Sequence, residues 1–335
     1  MKAILFFILG FLIVSVVGLT MPYPPSTIGI TFDWSSHAQA AAQSDNWPIT
    51  WAGDGEQYTS WGDGRGFNQT ATLDLGVSKI IGDSPETYSG LDMWTQKDGK
   101  SVGIIAVDGL LYMWVSPGSL KQAFKEQRLY QSQDRGVSWS KATWAFVFDD
   151  LIFKPSFLQF GQDYTGARDE YVYSYAPTRK KNDFVIQKPG EIILMRVPKN
   201  LIMQRAAYEF FTGNDANNQP QWSSVFAERR PVFTDPSGVM MTSVSFNPTL
   251  GRYLLITQHT QHVKGNIGIY DAPEPWGPWT TLLRQTGWGE GEIGLTSFVW
   301  NFSQKWASGL DFVLVFTGTK SLDAWNTIRG QFIAP

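Results

Sequence analysis

The chain has 335 residues, no cysteine, a formal net charge of −3, and 15% aromatic against 17% charged residues. Without cysteine there are no disulfides and no thiolate-bound metals, so stability has to come from buried apolar surface. The basic stripe of a nucleic-acid binder is missing, and the clusters Arg179–Lys181 and Arg229–Arg230 read as solvated loops.

Lys2 precedes an apolar run, Ala3 to Val17, which leads through Gly18, Leu19 and Thr20 into MPYPPS. The run is short for a bilayer span and reads as a signal peptide over residues 1–20. Secretion is the expectation, with retention at the cell surface if the signal is not cleaved. No later segment is apolar enough over a spanning length to insert stably in a membrane. Residues 21–43 are expected to be a flexible N-terminal segment. Residues 44–335 then form one domain, near the upper size for a single core, and a monomer is expected.

Along that domain the dominant pattern is short β-branched and aromatic runs bounded by Gly, Pro, Asn or Asp: QYTSWGD, KSVGIIAV, LLYMWVS, TWAFVF, PSFLQFG, EYVYSYA, EIILMRV, MTSVSFN, RYLLITQ, NIGIYDA, TSFVWNF and DFVLVFTG. Helical turns are expected only from Leu120 (LKQAFKEQ) and around Leu201 to Arg205. The runs group into repeating units that begin near Trp47, Ser101, Pro155, Thr242 and Gly294, and a period near fifty residues suits propeller blades. The fold class is therefore all-β, a five-bladed β-propeller. A two-sheet sandwich explains the strands but not their repeating order.

Ser132–Trp139, SQDRGVSW, fits the Asp-box pattern SxDxGxxW. Asp134 would cap the turn amides, Gly136 would supply a left-handed conformation and Trp139 would pack beneath. This single Asp-box hairpin supports the fold, not a reaction. The box occurs in sialidases, but no FRIP-like opening strand is found to start a sialidase's arginine triad.

The segment Ser44–Phe67, SDNWPITWAGDGEQYTSWGDGRGF, is the most informative. Asp45 enters the first inner strand, AGDG makes the hairpin turn, and the return strand ends at Trp61, Gly62 and Asp63. Inner strands converge on a propeller axis, so Asp45 and Asp63 can face one cavity while Asp54 stays at the far hairpin tip. Two carboxylates are what glycosidic cleavage needs: one protonates the leaving oxygen, the other activates water or attacks the anomeric carbon. Trp47, Trp61 and Arg65 are read as substrate contacts beside them. The fifteen Trp suit a protein that stacks sugar rings, burial in the core being their plainer use.

DNWPITWAGDGEQYTSWGDGRGF resembles the opening motif of a secreted five-bladed propeller family, the domain of unknown function 4185, some of whose members are endo-D-arabinanases. YEFFTG from Tyr208, SFNPTLGRYLLIT from Ser245 and YDAPEPWGPW from Tyr270 are similar to phrases of that family and of related five-bladed arabinan and xylan hydrolases. The resemblance implies an essential aspartate at the start of the first blade, by position Asp45, with Asp63 as its partner. It also implies a carboxylate from a middle blade, for which Glu170 and Asp92 are the candidates.

Trp94 beside Asp92 and Glu292 on the glycine-rich loop GWGEGEIGLTS are further substrate contacts. His259 is read as a hydrogen-bonding group toward a sugar or within the channel. With His262 alone for company it has no third metal ligand, so no metal or cofactor is expected. A structural calcium in the axis stays open, because oxygen ligands carry no signature. The expected function is a secreted glycoside hydrolase acting on an arabinan-like furanoside. The alternative is a carbohydrate-binding propeller without turnover.

Overall fold

The computed structural model describes residues 21–118, 125–181 and 184–334. The expected signal peptide lies outside the described residues, as does most of the turn expected from Leu120. Among the described residues twenty-two strands, linked by loops and short 3-10 turns, make an all-β architecture. Two of those 3-10 turns, Lys199–Leu201 and Arg205–Ala207, coincide with the second expected helical segment. No helix among the described residues is long and apolar enough to cross a membrane.

The first strand, β1 (Gly29–Ala40), is set aside for the last blade. Blade 1 is the meander β2 (Asp45–Trp51), β3 (Gln57–Gly64), β4 (Leu73–Ile81) and β5 (Ser89–Gln96). Blade 2 is β6 (Lys100–Val107), β7 (Leu110–Ser116), β8 (Gln127–Ser132) and β9 (Ser140–Phe146). Blade 3 runs β10 (Ser156–Gln159), β11 (Tyr171–Pro177), β12 (Gly190–Pro198), β13 (Glu209–Asn214) and β14 (Pro220–Ser223), with β15 (Pro231–Asp235) also paired to β12. Blade 4 is β16 (Met240–Asn247), β17 (Arg252–Gln258), β18 (Ile267–Ala272) and β19 (Thr280–Gln285). Blade 5 is β20 (Thr296–Phe302), β21 (Asp311–Thr319) and β22 (Asp323–Ile333), completed by β1.

The local chemistry explains the meanders. Asp108 and Gly109 join β6 to β7 at φ 50° and 79°, the two-residue turn whose twist matches a hairpin. All eight residues of β6 are buried, as a strand covered on both faces requires. In the hairpin between β8 and β9, Asp134 accepts hydrogen bonds from Ser132 Oγ (2.8 Å), Ser138 N (2.8 Å) and Ser138 Oγ (2.6 Å). Gly136 turns at φ 88°, and Trp139 packs against Trp94 with ring centroids 6.1 Å apart.

Residues 21–43 are not a flexible segment. β1 runs antiparallel to β22 from Gly29 opposite Ile333 to Ala40 opposite Trp325, with a bulge between Asp33 and Ala38. Before it, the Tyr23 carbonyl accepts from Thr281 Oγ1 (2.9 Å) and the Tyr23 ring lies 5.0 Å from Phe233. The exposed backbone edge of β22 is what draws the N-terminus in, since an open edge leaves a row of unmet hydrogen bonds. The domain therefore begins ahead of residue 44.

Apolar clusters fill the blade interfaces and close the ring. Tyr58, Leu75 and Val77 meet Ile104, Met113 and Val115 between blades 1 and 2. Trp114, Phe157, Leu194 and Leu255 belong to a larger cluster running from blade 2 to blade 4. Ile256 and Ile269 meet Leu314 and Phe316 between blades 4 and 5. Trp47 and Trp61 meet Val313, Val315 and Trp325 between blades 5 and 1. A two-sheet sandwich would not close in this way.

Candidate active site

The inner strands β2, β6, β10, β16 and β20 all start at one end of the axis, and four of them are bulged there. Their pairings shift register between Asn46 and Ile49, Ser101 and Gly103, Met240 and Ser243, and Phe298 and Trp300. Within these bulges Asn46, Trp47, Met241 and Val299 sit at φ 82°, 57°, 46° and 51°, and Lys154, just ahead of β10, at 48°. Side chains other than glycine adopt such angles at a cost, and bulges of this kind re-aim side chains beside active sites. In blade 1 the bulge turns Trp47 into the interface with blade 5, and the Asn46 amide donates to Thr317 Oγ1 at 2.9 Å.

Asp45 pairs with Gly62 across the first hairpin, which places Asp63 one residue beyond. Asn46 Nδ2 donates to Asp45 Oδ1 at 2.8 Å. Asp63, itself at φ 51°, forms an ion pair with Lys100 from blade 2, whose ammonium also donates to the Asp74 carbonyl at 2.9 Å. Asp323 at the start of β22 is held by Thr319 Oγ1.

The environments of the two carboxylates differ. Burial, with the neighbouring Asp63 charge next in size, pushes the Asp45 carboxyl up to about 7, against the opposing pull of Lys100. Asp45 keeps a small opening to solvent, but protein surrounds it on nearly every side, so burial dominates. Asp63 has 39% of its side chain exposed. Burial also pushes the Lys154 ammonium well below its ordinary value, with Lys100 adding to the effect. The two carboxyl groups are thus held in unequal surroundings, one enclosed and one partly exposed.

Beyond this end the axis is tightly packed until it reopens at the other side. Val102, Phe153, Ile186, Met240 and Phe298 pack together around its Asp45 end. Farther in, the void between the inner strands is about 10 Å³, room for a single water. At the opposite end a cavity of about 260 Å³ is lined by Trp51, Phe160, Phe246, Asn247 and Phe302, with no titratable side chain in its wall.

The family profile described as domain of unknown function (DUF4185) matches residues 93–303. The chain belongs to that family. The matched span holds three of the four phrases that carried the resemblance, while the Asp45–Asp63 hairpin precedes it. Among solved structures, this DUF4185 chain is similar to a thermostable family-43 glycoside hydrolase (TM-score 0.54, 10% identity, covering 88% of this chain and 94% of the other). It is similar to a β-xylosidase (0.52, 12%, 88% and 95%) and to a family-43 enzyme from Xanthomonas citri (0.50, 13%, 89% and 90%). At such identities the likeness establishes the propeller fold. No curated protein matches the chain.

Several other expected site residues of the DUF4185 chain lie away from this pair. Trp47 and Trp61 are fully buried, Trp61 donating to Ser78 Oγ at 2.7 Å, so neither offers a face to a sugar. None of the fifteen Trp is exposed: eight are buried and seven half-buried, Trp51 among them in the wall of the far cavity. Glu170 precedes β11, whose Tyr175 lies opposite Ser156 at the Asp45 end. Its own position is thus at the far end of the blade, where it is 89% exposed beside Lys199. It does not join the pair.

Asp92 on the outermost strand of blade 1 accepts from Ser78 Oγ (2.6 Å), Phe67 N (3.0 Å) and Asn68 N (2.9 Å), which fixes the loop after β3. Trp94 on the same strand packs on Tyr130 and Trp139. His259 is buried between Thr260 Oγ1 (2.9 Å) and the Gln285 carbonyl (3.2 Å), and burial, helped by Arg284, lowers it to about 4. Among the described residues no group of His, Asp and Glu gathers into a metal site around it. Glu292 is exposed on its loop, and Arg65 is exposed two residues beyond Asp63.

Lys100, Lys154 and Asp323 surround the candidate site and were passed over by sequence reasoning. Lys100 had one visible signal: a lysine directly ahead of a run, SVGIIAV, that has to be wholly buried.

Proposed function

We propose that this protein is an exported, monomeric glycoside hydrolase that cleaves a polysaccharide at the Asp45 end of the propeller axis, with an arabinan-like furanoside as its first candidate substrate. The observation that carries the reading is the juxtaposition of Asp45 and Asp63 on one hairpin in unequal environments. Asp45, enclosed and proton-bearing near neutrality, serves as the acid that protonates the departing glycosidic oxygen. Asp63, exposed and paired with Lys100, supplies the carboxylate that acts at the anomeric carbon, directly or through water. Arg65 and the rim of that opening receive the flanking sugar units. A fold shared with a β-xylosidase and with family-43 glycoside hydrolases supports the same reaction class.

The test is release of oligosaccharides from a panel of furanosidic and pyranosidic polysaccharides. Wild type should cleave at least one, and Asp45→Asn and Asp63→Asn should each abolish cleavage while glycan binding and thermal stability persist. A wild type that binds glycans but releases nothing from any of them overturns the hydrolase reading in favour of a carbohydrate-binding propeller.

A further inference from the structure

Lys100 is the first residue of a strand buried along its whole length. Only 5% of its side chain reaches solvent. A buried ammonium is costly unless compensated, and its compensation here is a carboxylate of the candidate site together with the Asp74 carbonyl. Gly62 shapes the shared space: a β-carbon there would stand 3.3 Å from Lys100 Cδ and 2.8 Å from Asp45 Oδ1. The lysine stem and the Asp45 carboxylate thus flank one missing side chain.

We propose that Lys100 is the positioning residue of the Asp45–Asp63 pair: reaching across from blade 2, it anchors the Asp63 carboxylate and leaves the exchangeable proton of the pair on Asp45. This rests on the reading of the two aspartates as the proton-transferring pair. The charged and titratable groups that face Asp45 are Asp63 on its own hairpin, Lys100 of blade 2, Lys154 ahead of β10 and Asp323 of β22. Lys100 contacts Asp63 directly, as an ion pair. Removing it leaves two neighbouring carboxylates to share a proton, and like charges at close range resist joint ionisation.

The test uses the full chain labelled with carboxyl-13C aspartate and titrated by NMR, with the Asp45 signal assigned by its loss in Asp45→Asn. Lys100→Met should move the Asp45 titration up by about one unit or more, and Lys100→Arg, which keeps the charge, should hold it within about 0.3 unit of wild type. A Lys100→Met titration that coincides with wild type overturns the proposal, since a purely structural lysine would alter stability alone. If Lys100→Met does not fold, Asp63→Asn is read through the 15N ammonium signal of Lys100. A changed signal supports the contact, and an unchanged one overturns it. The titration needs no substrate, so a protein that shifts as expected yet cleaves no glycan refutes the hydrolase reading and not the role of Lys100.

Discussion

Asp45 stands opposite Gly62 in the register of the first hairpin, and a β-carbon on residue 62 would lie 2.8 Å from Asp45 Oδ1 and 3.1 Å from Asn46 Nδ2. Either the carboxylate or its donor would have to move. Gly62→Ala is therefore expected to slow hydrolysis by about 100-fold, as displacements of order 1 Å do. Its stability cost should stay near 1–3 kcal/mol, roughly that of local overpacking. Initial rates and urea unfolding on the same preparation separate the two effects, and an unchanged rate would refute the importance of this spacing.

The raised Asp45 carboxyl makes stability depend on pH with a definite sign. Its folded value of about 7 lies above the roughly 3.9 of an unfolded aspartate. Between those values the folded state holds a proton that the unfolded state has released, so stability falls as pH rises through the window. Asp45→Asn lacks that loss, and its stability relative to wild type should grow from about pH 4 to 7 and then level off. Urea unfolding across the range checks this. On the proposed reading of Asp45 as the acid, hydrolysis should also decline above about pH 7 as that group loses its proton.

Trp61 should behave as core. Its ring lies against the backbone of Gly66 and Gly76, where β-carbons would stand 2.5 Å and 2.1 Å from it. Trp61→Ala is expected to cost about 3–5 kcal/mol, while the fraction that remains folded binds glycans as wild type does. Calorimetric titration well below the unfolding midpoint decides the matter. Lost affinity at unchanged stability would instead mark a sugar platform.

The Asp134 hairpin should be structural only. Asp134→Ala removes three hydrogen bonds on an exposed turn and should cost about 1–2 kcal/mol. Gly136→Ala, at φ 88°, should cost about the same, 1–2 kcal/mol, through the left-handed backbone. Neither should change the hydrolysis rate per folded molecule, measured with the unfolded fraction taken from urea curves.

Deleting residues 21–40 should open blade 5. The outer edge of β22 would lose its partner, and the midpoint of thermal unfolding is expected to fall by about 10 °C or more, with aggregation through the bare edge. A truncated chain that melts with wild type would show that β1 contributes nothing to closure.

Much of the fold was legible because its signals are local. Runs such as KSVGIIAV, RYLLITQ and DFVLVFTG carry their strand character in their own side chains, and the five expected units begin within a few residues of the observed inner strands. β1 (GITFDWSSHAQA) and β22 (DAWNTIRGQFI) are harder to read, since polar residues interrupt them and their extended form is imposed by pairing with one another across the whole length of the chain.

The same division runs through the site. Asp45 and Asp63 were readable together because one tight hairpin joins them, and a hairpin's register follows from its own turn and alternation. Tertiary structure alone decided that Lys100 crosses from the next blade, that Trp47 and Trp61 face inward, and that Glu170 ends at the far rim. Those outcomes depend on which blade packs against which, a relation between distant segments that neither spacing nor composition encodes.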